Sequence, residues 1–157
     1  MQTIRTDVAI IGGGLGACAA ALAAARMGCR VTLTEETHWI GGQLTNQAVP
    51  PDEHPWIETH GATSSYCKLR QGIRDYYRKH APLTGRALST ATLNPGNGWV
   101  SGLCHDPRVA VAVLHEMMIA DQLSGRLFVL HPHEPVRAWT KGDRVAGVLV
   151  RSLQSGR

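Results

Sequence analysis

Residues 8–36 read VAIIGGGLGACAAALAAARMGCRVTLTEE. Residues 8–11 are a short apolar run, cut off by Gly12, Gly13 and Gly14. From 17 to 27 small residues dominate, mostly alanine with Leu22 among them. Alanine is the strongest helix former, so this stretch predicts a helix of about three turns. Gly28 stands where a glycine just past the last turn stops a helix. Residues 30–34 alternate and branch at Cβ as a strand does. Strand, glycine turn, helix, glycine and strand make a βαβ unit, whose two strands are parallel.

The turn carries chemistry as well as shape. Gly12, Gly14 and Ala17 stand at the spacing G-x-G-x-x-A. Gly12 allows the tight exit from the strand, Gly14 lets a pyrophosphate approach the backbone, and Ala17 lets the helix lie close to the sheet. Gly13 and Gly16 complete the turn, and the free N–H groups of the helix start face the phosphates. Glu35 ends the second strand, at the separation where a carboxylate accepts from adenosine ribose hydroxyls. A carboxylate there disfavours a 2′-phosphate, and so NADP. Glu36 is the neighbouring acid, but strand alternation turns it to the opposite face.

Composition narrows the class. The chain has 157 residues, 43% hydrophobic and 18% charged, the balance of a soluble globular domain with a real core. It holds no apolar run of about 18 residues. The nearest stretch, 8–27, is broken by three glycines and Arg26, and Asp7 offsets Arg5 just before it, which is not the start of a signal peptide. The expectation is a cytoplasmic protein with no membrane partner. The net charge is +4, but the basic residues are scattered and there is one Phe. That reads as solvated surface and predicts no nucleic-acid partner. Cys18, Cys29, Cys67 and Cys104 form no C-x-x-C pair; free, mostly buried thiols are expected.

Beyond Glu36 the pattern loosens. Residues 39–63 carry Gly41, Gly42, Pro50, Pro51, Pro55 and Gly61 and show no period; a loop this long is usually functional. Ser64 or Ser65 is expected to cap a helix in which Tyr66, Leu69, Ile73, Tyr76 and Tyr77 recur at helical spacing, ending near His80. Residues 94–98 form a second glycine-rich turn. Asp106 and Pro107 read as an N-cap and first helical residue. That helix runs to about Leu123 with Ala110, Val113, Leu114, Met117 and Met118 on one face, and stops at Gly125. Residues 127–130 read as a short buried strand, and 136–140 with 145–151 as a hairpin across Lys141 to Arg144. Gly156 and Arg157 read as a further turn.

These pieces resemble the FAD-dependent oxidoreductases of the two-dinucleotide-binding-domain type. The matching stretches are VAIIGGGLGA at 8–17, TEE at 34–36 and GGQLT at 41–45; residues 41–58 and 94–101 resemble a bacterial subfamily of poorly defined substrate. The resemblance covers essentially the whole chain. It implies that Gly41 and Gly42 approach the FAD pyrophosphate, that Gly42 and Gln43 contact FAD with Gln43 nearest the isoalloxazine, and that Val136 borders the adenine. Such flavoproteins continue past the hairpin into a strand with an A-T-G-type motif and a later G-D. This sequence ends before both, so the expectation is an N-terminal portion of a longer enzyme or a truncated chain.

The expected architecture is α/β: a Rossmann-like FAD-binding βαβ with a helical insertion and a β-hairpin crossover, incomplete at the C-terminus. Residues 1–157 form one FAD-binding domain portion, divided into the βαβ unit 1–36, the loop and helical insertion 37–125, and the third strand with hairpin 126–157. The expected function is redox of a small organic substrate through bound flavin. Two alternatives stay open: an NAD-binding dehydrogenase domain, and a truncated nucleotide-binding module without turnover. The glycine pair and the insertion speak against the first. No catalytic residue and no metal ligand is assigned, and oligomeric state is left open. His131 and His133 read as exposed loop histidines, His54 and His60 as surface histidines, and Cys104 beside His105 as adjacent residues that do not point together.

Overall fold

A computed structural model describes residues 2–154; the turn expected at Gly156 and Arg157 lies outside them. The chain divides into two compact units, one formed by Met1–Ile40 with Met118–Arg157 and the other by Gly41–Met117.

In the first unit, β1 (Val8–Ile11), β2 (Val31–Thr34) and β3 (Leu127–Leu130) form a parallel sheet in the order β1-β2-β3. Val8 pairs with Val31 and Val31 with Leu127, so the three strands are in step. The central strand is buried at every residue. Helix α1 (Leu15–Arg26) joins β1 to β2 and buries Cys18, Ala21, Leu22 and Ala25. Alanines on that face keep the helix close to the sheet, while Leu22, Val31, Leu33 and Leu127 supply the bulk of the core. Each such aliphatic side chain contributes about 1.5–3 kcal/mol when fully buried. The helix begins two residues earlier than its alanine run suggests and ends before Gly28, which takes φ +88°.

The hairpin is longer than its alternation indicates. Strands β4 (His133–Lys141) and β5 (Arg144–Ser152) form a separate antiparallel sheet. Lys141 pairs with Arg144, leaving a two-residue turn whose Gly142 takes φ +65°. A register shift between Pro135 and Arg137 leaves Val136 without a partner across the hairpin.

The second unit is helical. Its helices are α2 (Ser64–His80), α3 (Gly85–Ser89) and the first part of α4 (Pro107–Leu123), which carries the unit boundary. The cap of α2 is Thr63, not Ser64 or Ser65: its hydroxyl accepts from the Tyr66 N–H. Both serines sit inside the first turn. Helix α3 escapes sequence reading because five residues are too few to show a period; Thr84 caps it. Leu69, Ile73, Leu103, Ala110, Val113 and Leu114 make the apolar core of this unit. Gly72 allows the close approach of α2 to α4, since a Cβ there would lie 2.7 Å from Val113 Cγ1.

Candidate cofactor site

The glycine turn and the end of β2 are joined by two hydrogen bonds, and a third holds the same carboxylate from the loop after β2. Gly12 leaves β1 at φ +95°, a conformation that favours glycine, and its N–H donates to Thr34 Oγ1 at 3.2 Å. The Gly13 N–H donates to Glu35 Oε2 at 2.9 Å, and the Thr37 N–H to Glu35 Oε1 at 2.8 Å. The Glu35 backbone is tied on both sides, its N–H donating to the Leu130 carbonyl and its own carbonyl accepting from the His133 N–H. Glu35 is therefore buried beside the turn, while Glu36 is exposed.

Past Gly13 the turn is open. A Cβ at Gly12, Gly14 or Gly16 would meet nothing within 4 Å. Gly14 precedes the first turn of α1, no side chain caps that helix, and the first turn carries no acid. The first intrahelical bond is Cys18 N–H to the Gly14 carbonyl, so the N–H groups of the residues before Cys18 have no acceptor within the helix. Open backbone, free donors and the positive end of a helix dipole together fit a diphosphate. Each Glu35 oxygen already accepts one backbone N–H and keeps a lone pair for a hydroxyl. That fits a ribose beside the diphosphate.

The sequence places Gly13 among the groups facing the phosphates. Its N–H is engaged by Glu35, so it serves the site by holding that carboxylate. Ala17 is half-buried on α1. In the helical unit, Gly41 takes φ +107° and precedes a single 3-10 turn, Gly42–Leu44. A Cβ at Gly41 would lie 2.6 Å from Thr45 Cγ2 and 2.7 Å from Leu114 Cδ1. Gln43 is exposed, and its carbonyl accepts from the Val49 N–H. Val136 is exposed on β4.

An unexpected feature is a charged stripe on α2. Tyr66, Arg70 and Arg74 follow one another at i, i+4 and i+8, and both arginines are buried. Tyr66 and Arg70 hold the Glu53 carboxylate, Arg70 also bonds Glu58, and Arg74 bonds Glu58 at 2.5 and 3.0 Å. Arg74 further donates to the Leu93 carbonyl, and the Tyr77 hydroxyl accepts from the Asp106 N–H. One helix face thus fastens three separate loops. Burial pushes the Glu58 carboxyl up, but the Arg74 hydrogen bond and the charges of Arg70 and Arg74 outweigh it and hold it below the usual range. Burial, and then the Glu53 acceptor, push the Tyr66 phenol up.

The remaining candidates separate. Cys104 Sγ lies 3.5 Å from the Ser101 carbonyl, and His105 Nδ1 lies 2.7 Å from the Leu103 carbonyl, so thiol and imidazole turn to different partners. Because a carbonyl only accepts, Nδ1 carries the proton and Nε2 is left as a buried acceptor with no hydrogen-bond partner among the described residues. His131 and His133 are half-buried, with Nδ1 of each shielded from solvent, rather than exposed in a loop; His133 opens β4. Among the described residues no three His, Cys, Asp or Glu side chains are grouped to hold a metal ion. Among the described residues no cysteine is in a disulfide; Cys18 and Cys104 are buried, Cys29 half-buried and Cys67 exposed.

The family described as FAD dependent oxidoreductase matches residues 7–157. The chain belongs to that family. Its cofactor is FAD, which settles the choice between flavin and nicotinamide that the glycine turn alone leaves open. No curated protein matches the chain. Among solved structures, Sdh1 of Mycobacterium smegmatis in complex with UQ1 is similar at 14% identity and TM-score 0.57, over 97% of this chain and 31% of that one. The flavin-dependent monooxygenase PieE, in complex with FAD and substrate, is similar at 22% identity and TM-score 0.52, over 100% of this chain and 28% of that one. The myxobacterial chondrochloren halogenase CndH follows at 20% identity and TM-score 0.51, over 97% and 34%. These likenesses show the Rossmann-like α/β fold. The chain spans about a third of the length of these structures. Among the described residues no helix is long and apolar enough to cross a membrane.

Proposed function

We propose that this chain is the N-terminal FAD-binding portion of an oxidoreductase acting on a small organic substrate, with residues 1–157 as one domain portion built on the βαβ unit 1–36. The observation that carries the reading is the open, uncapped start of α1 beside the Glu35 carboxylate. The backbone of Gly12, Gly14, Gly16 and Ala17 receives the diphosphate, Gly13 holds Glu35, and Glu35 accepts from the ribose. By the family resemblance, Gly41, Gly42 and Gln43 also contact FAD, and Val136 borders its adenine. Bound flavin supplies hydride or electron transfer, and the chain supplies binding and orientation. A reducing, cytoplasmic setting is part of this reading.

Visible absorbance of the purified chain, with and without added FAD, tests this. Gly14→Val is the informative variant, because a first side-chain carbon there meets nothing of the chain yet occupies the diphosphate approach. The expected result is a bound flavin spectrum that Gly14→Val abolishes while the folded signal stays. Equal flavin binding by both proteins would remove the glycine turn from the site.

A further inference from the structure

Three segments enter the parallel sheet side by side, and the same position in each carries an exposed apolar side chain. Val8, Val31 and Leu127 are in register across β1, β2 and β3. Ile4, Met27 and Leu123 each stand four residues before one of them. Met27 is 84% exposed, Leu123 81% and Ile4 39%. We propose that this rim, where the strands start, docks on an anionic lipid surface. The inference goes beyond the flavin reading and does not depend on it, since Gly12 and Glu35 follow the opposite ends of β1 and β2.

Backbone bonds hold the three entries together. The Asp7 and Val8 N–H groups donate to the Arg30 carbonyl at 2.8 and 3.1 Å, and the Val31 N–H donates to the Arg126 carbonyl at 2.7 Å. Met27 closes α1 and Leu123 is the last residue of α4. Gly28 at φ +88° and Gly125 at φ +74° then turn the chain into β2 and β3. The side chains of Met27 and Leu123 are thus left at helix ends, spent on no core.

The same entries carry Arg5, Arg26, Arg30 and Arg126, all exposed. Arg30 pairs with Asp7 at 3.6 Å and Arg126 with Asp121 at 3.2 Å. Arg5 and Arg26 make no ion pair among the described residues, so the rim keeps a positive surplus. Protruding apolar side chains flanked by unpaired guanidinium groups suit an anionic lipid surface: the cations meet headgroup phosphates, and the apolar tips enter the acyl boundary. A protein partner would need a matched pocket for each protruding side chain, whereas a lipid surface yields to them. A nucleic acid would meet the arginines but set Met27 and Leu123 against its phosphates. Such a contact needs no spanning helix, and the sequence expectation of no membrane partner rests on the lack of one.

The test is co-sedimentation of the intact chain with vesicles of phosphatidylcholine and phosphatidylglycerol at low salt. Vesicles of phosphatidylcholine alone, and the chain without vesicles, are the controls. The chain is expected to sediment with the anionic vesicles only. Arg5→Gln with Arg26→Gln is expected to weaken binding about tenfold or more, and Met27→Gln with Leu123→Gln about tenfold. All four positions are exposed, and the folded signal checks each variant. Lys79→Gln with Arg86→Gln removes the same charge from the helical unit and is expected to change binding less than about twofold. Absence of binding to anionic vesicles overturns the proposal, as does equal binding to neutral ones. An equal loss from the Lys79 and Arg86 pair, or no loss from the Met27 and Leu123 pair, would leave only general charge attraction and overturn it too.

Discussion

The backbone N–H of Gly13 donates to Glu35 Oε2 at 2.9 Å across 22 residues of sequence. The glycine turn and the acid at the end of β2 are thus one assembly, set before any ligand arrives. A Cβ at Gly13 would lie 2.6 Å from Glu35 Cβ and 2.7 Å from Oε2. The Cβ is close to the backbone and cannot swing away. Gly13→Ala is expected to cost about 1–3 kcal/mol, read from the denaturation midpoint, and to weaken FAD in the same protein.

Glu35→Gln keeps the shape but turns an NH2 group toward one of two backbone donors, Gly13 or Thr37. A loss of about 1–3 kcal/mol is expected. The exposed neighbour Glu36→Gln is expected to change stability by less than about 0.5 kcal/mol. Equal effects at both positions in chemical denaturation would contradict the placement of Glu35.

Gly72→Ala sets two energies against each other. Alanine gains about 1 kcal/mol in helix propensity, while its Cβ would sit 2.7 Å from Val113 Cγ1, a branched side chain on α4. Overpacking costs about 1–3 kcal/mol, so the net change is expected to be destabilising. Val113→Ala in the same chain should recover part of it, giving a non-additive double-mutant cycle.

Arg70→Met leaves the Glu53 carboxylate buried without its cation. Removing one partner of a buried pair costs about 3–5 kcal/mol. Tyr66→Phe removes a hydrogen bond to the same carboxylate and is expected to cost about 1.5–3 kcal/mol. Thermal melts of the two variants test the order.

Burial pushes the His105 imidazole below its ordinary value, against the Leu103 hydrogen bond and the charges of Asp106 and Glu53. The unfolded chain therefore binds the proton first as pH falls. Stability from this group is complete above about pH 6.5 and is lost below it. His105→Gln should flatten the fall in melting temperature between about pH 7 and pH 5. Asp106 behaves in the opposite sense: Arg108 holds its carboxyl down to about 2, so its share is present above about pH 4 and lost as pH falls toward 2.

The βαβ unit was readable because its determinants are local. Gly12 and Gly28 need positive φ, alanines favour helix, and Val31 to Thr34 alternate and branch; each preference acts within a few residues. The motif even points to Glu35 rather than Glu36, because strand alternation is local too. The family and its cofactor follow from the same residues together with the glycine pair at Gly41 and Gly42. The helical unit was readable only in outline. The helical spacing of Leu69 and Ile73 marks α2, but nothing in that spacing shows that Arg70 and Arg74 are buried. They are buried because Glu53 and Glu58 fold back onto them from 17 and 12 residues away in the case of Arg70. The stripe Tyr66-x3-Arg70-x3-Arg74 is visible in the sequence, but its partners are not. The same holds for the Gly13 bond to Glu35, the approach of Gly72 to Val113, and the unpartnered Nε2 of His105. Backbone preference and hydrophobic period are properties of neighbouring residues, so the sequence by itself determined the elements of the βαβ unit and its glycine turn. Which charges are buried together depends on distant segments meeting, and only the tertiary structure decided that.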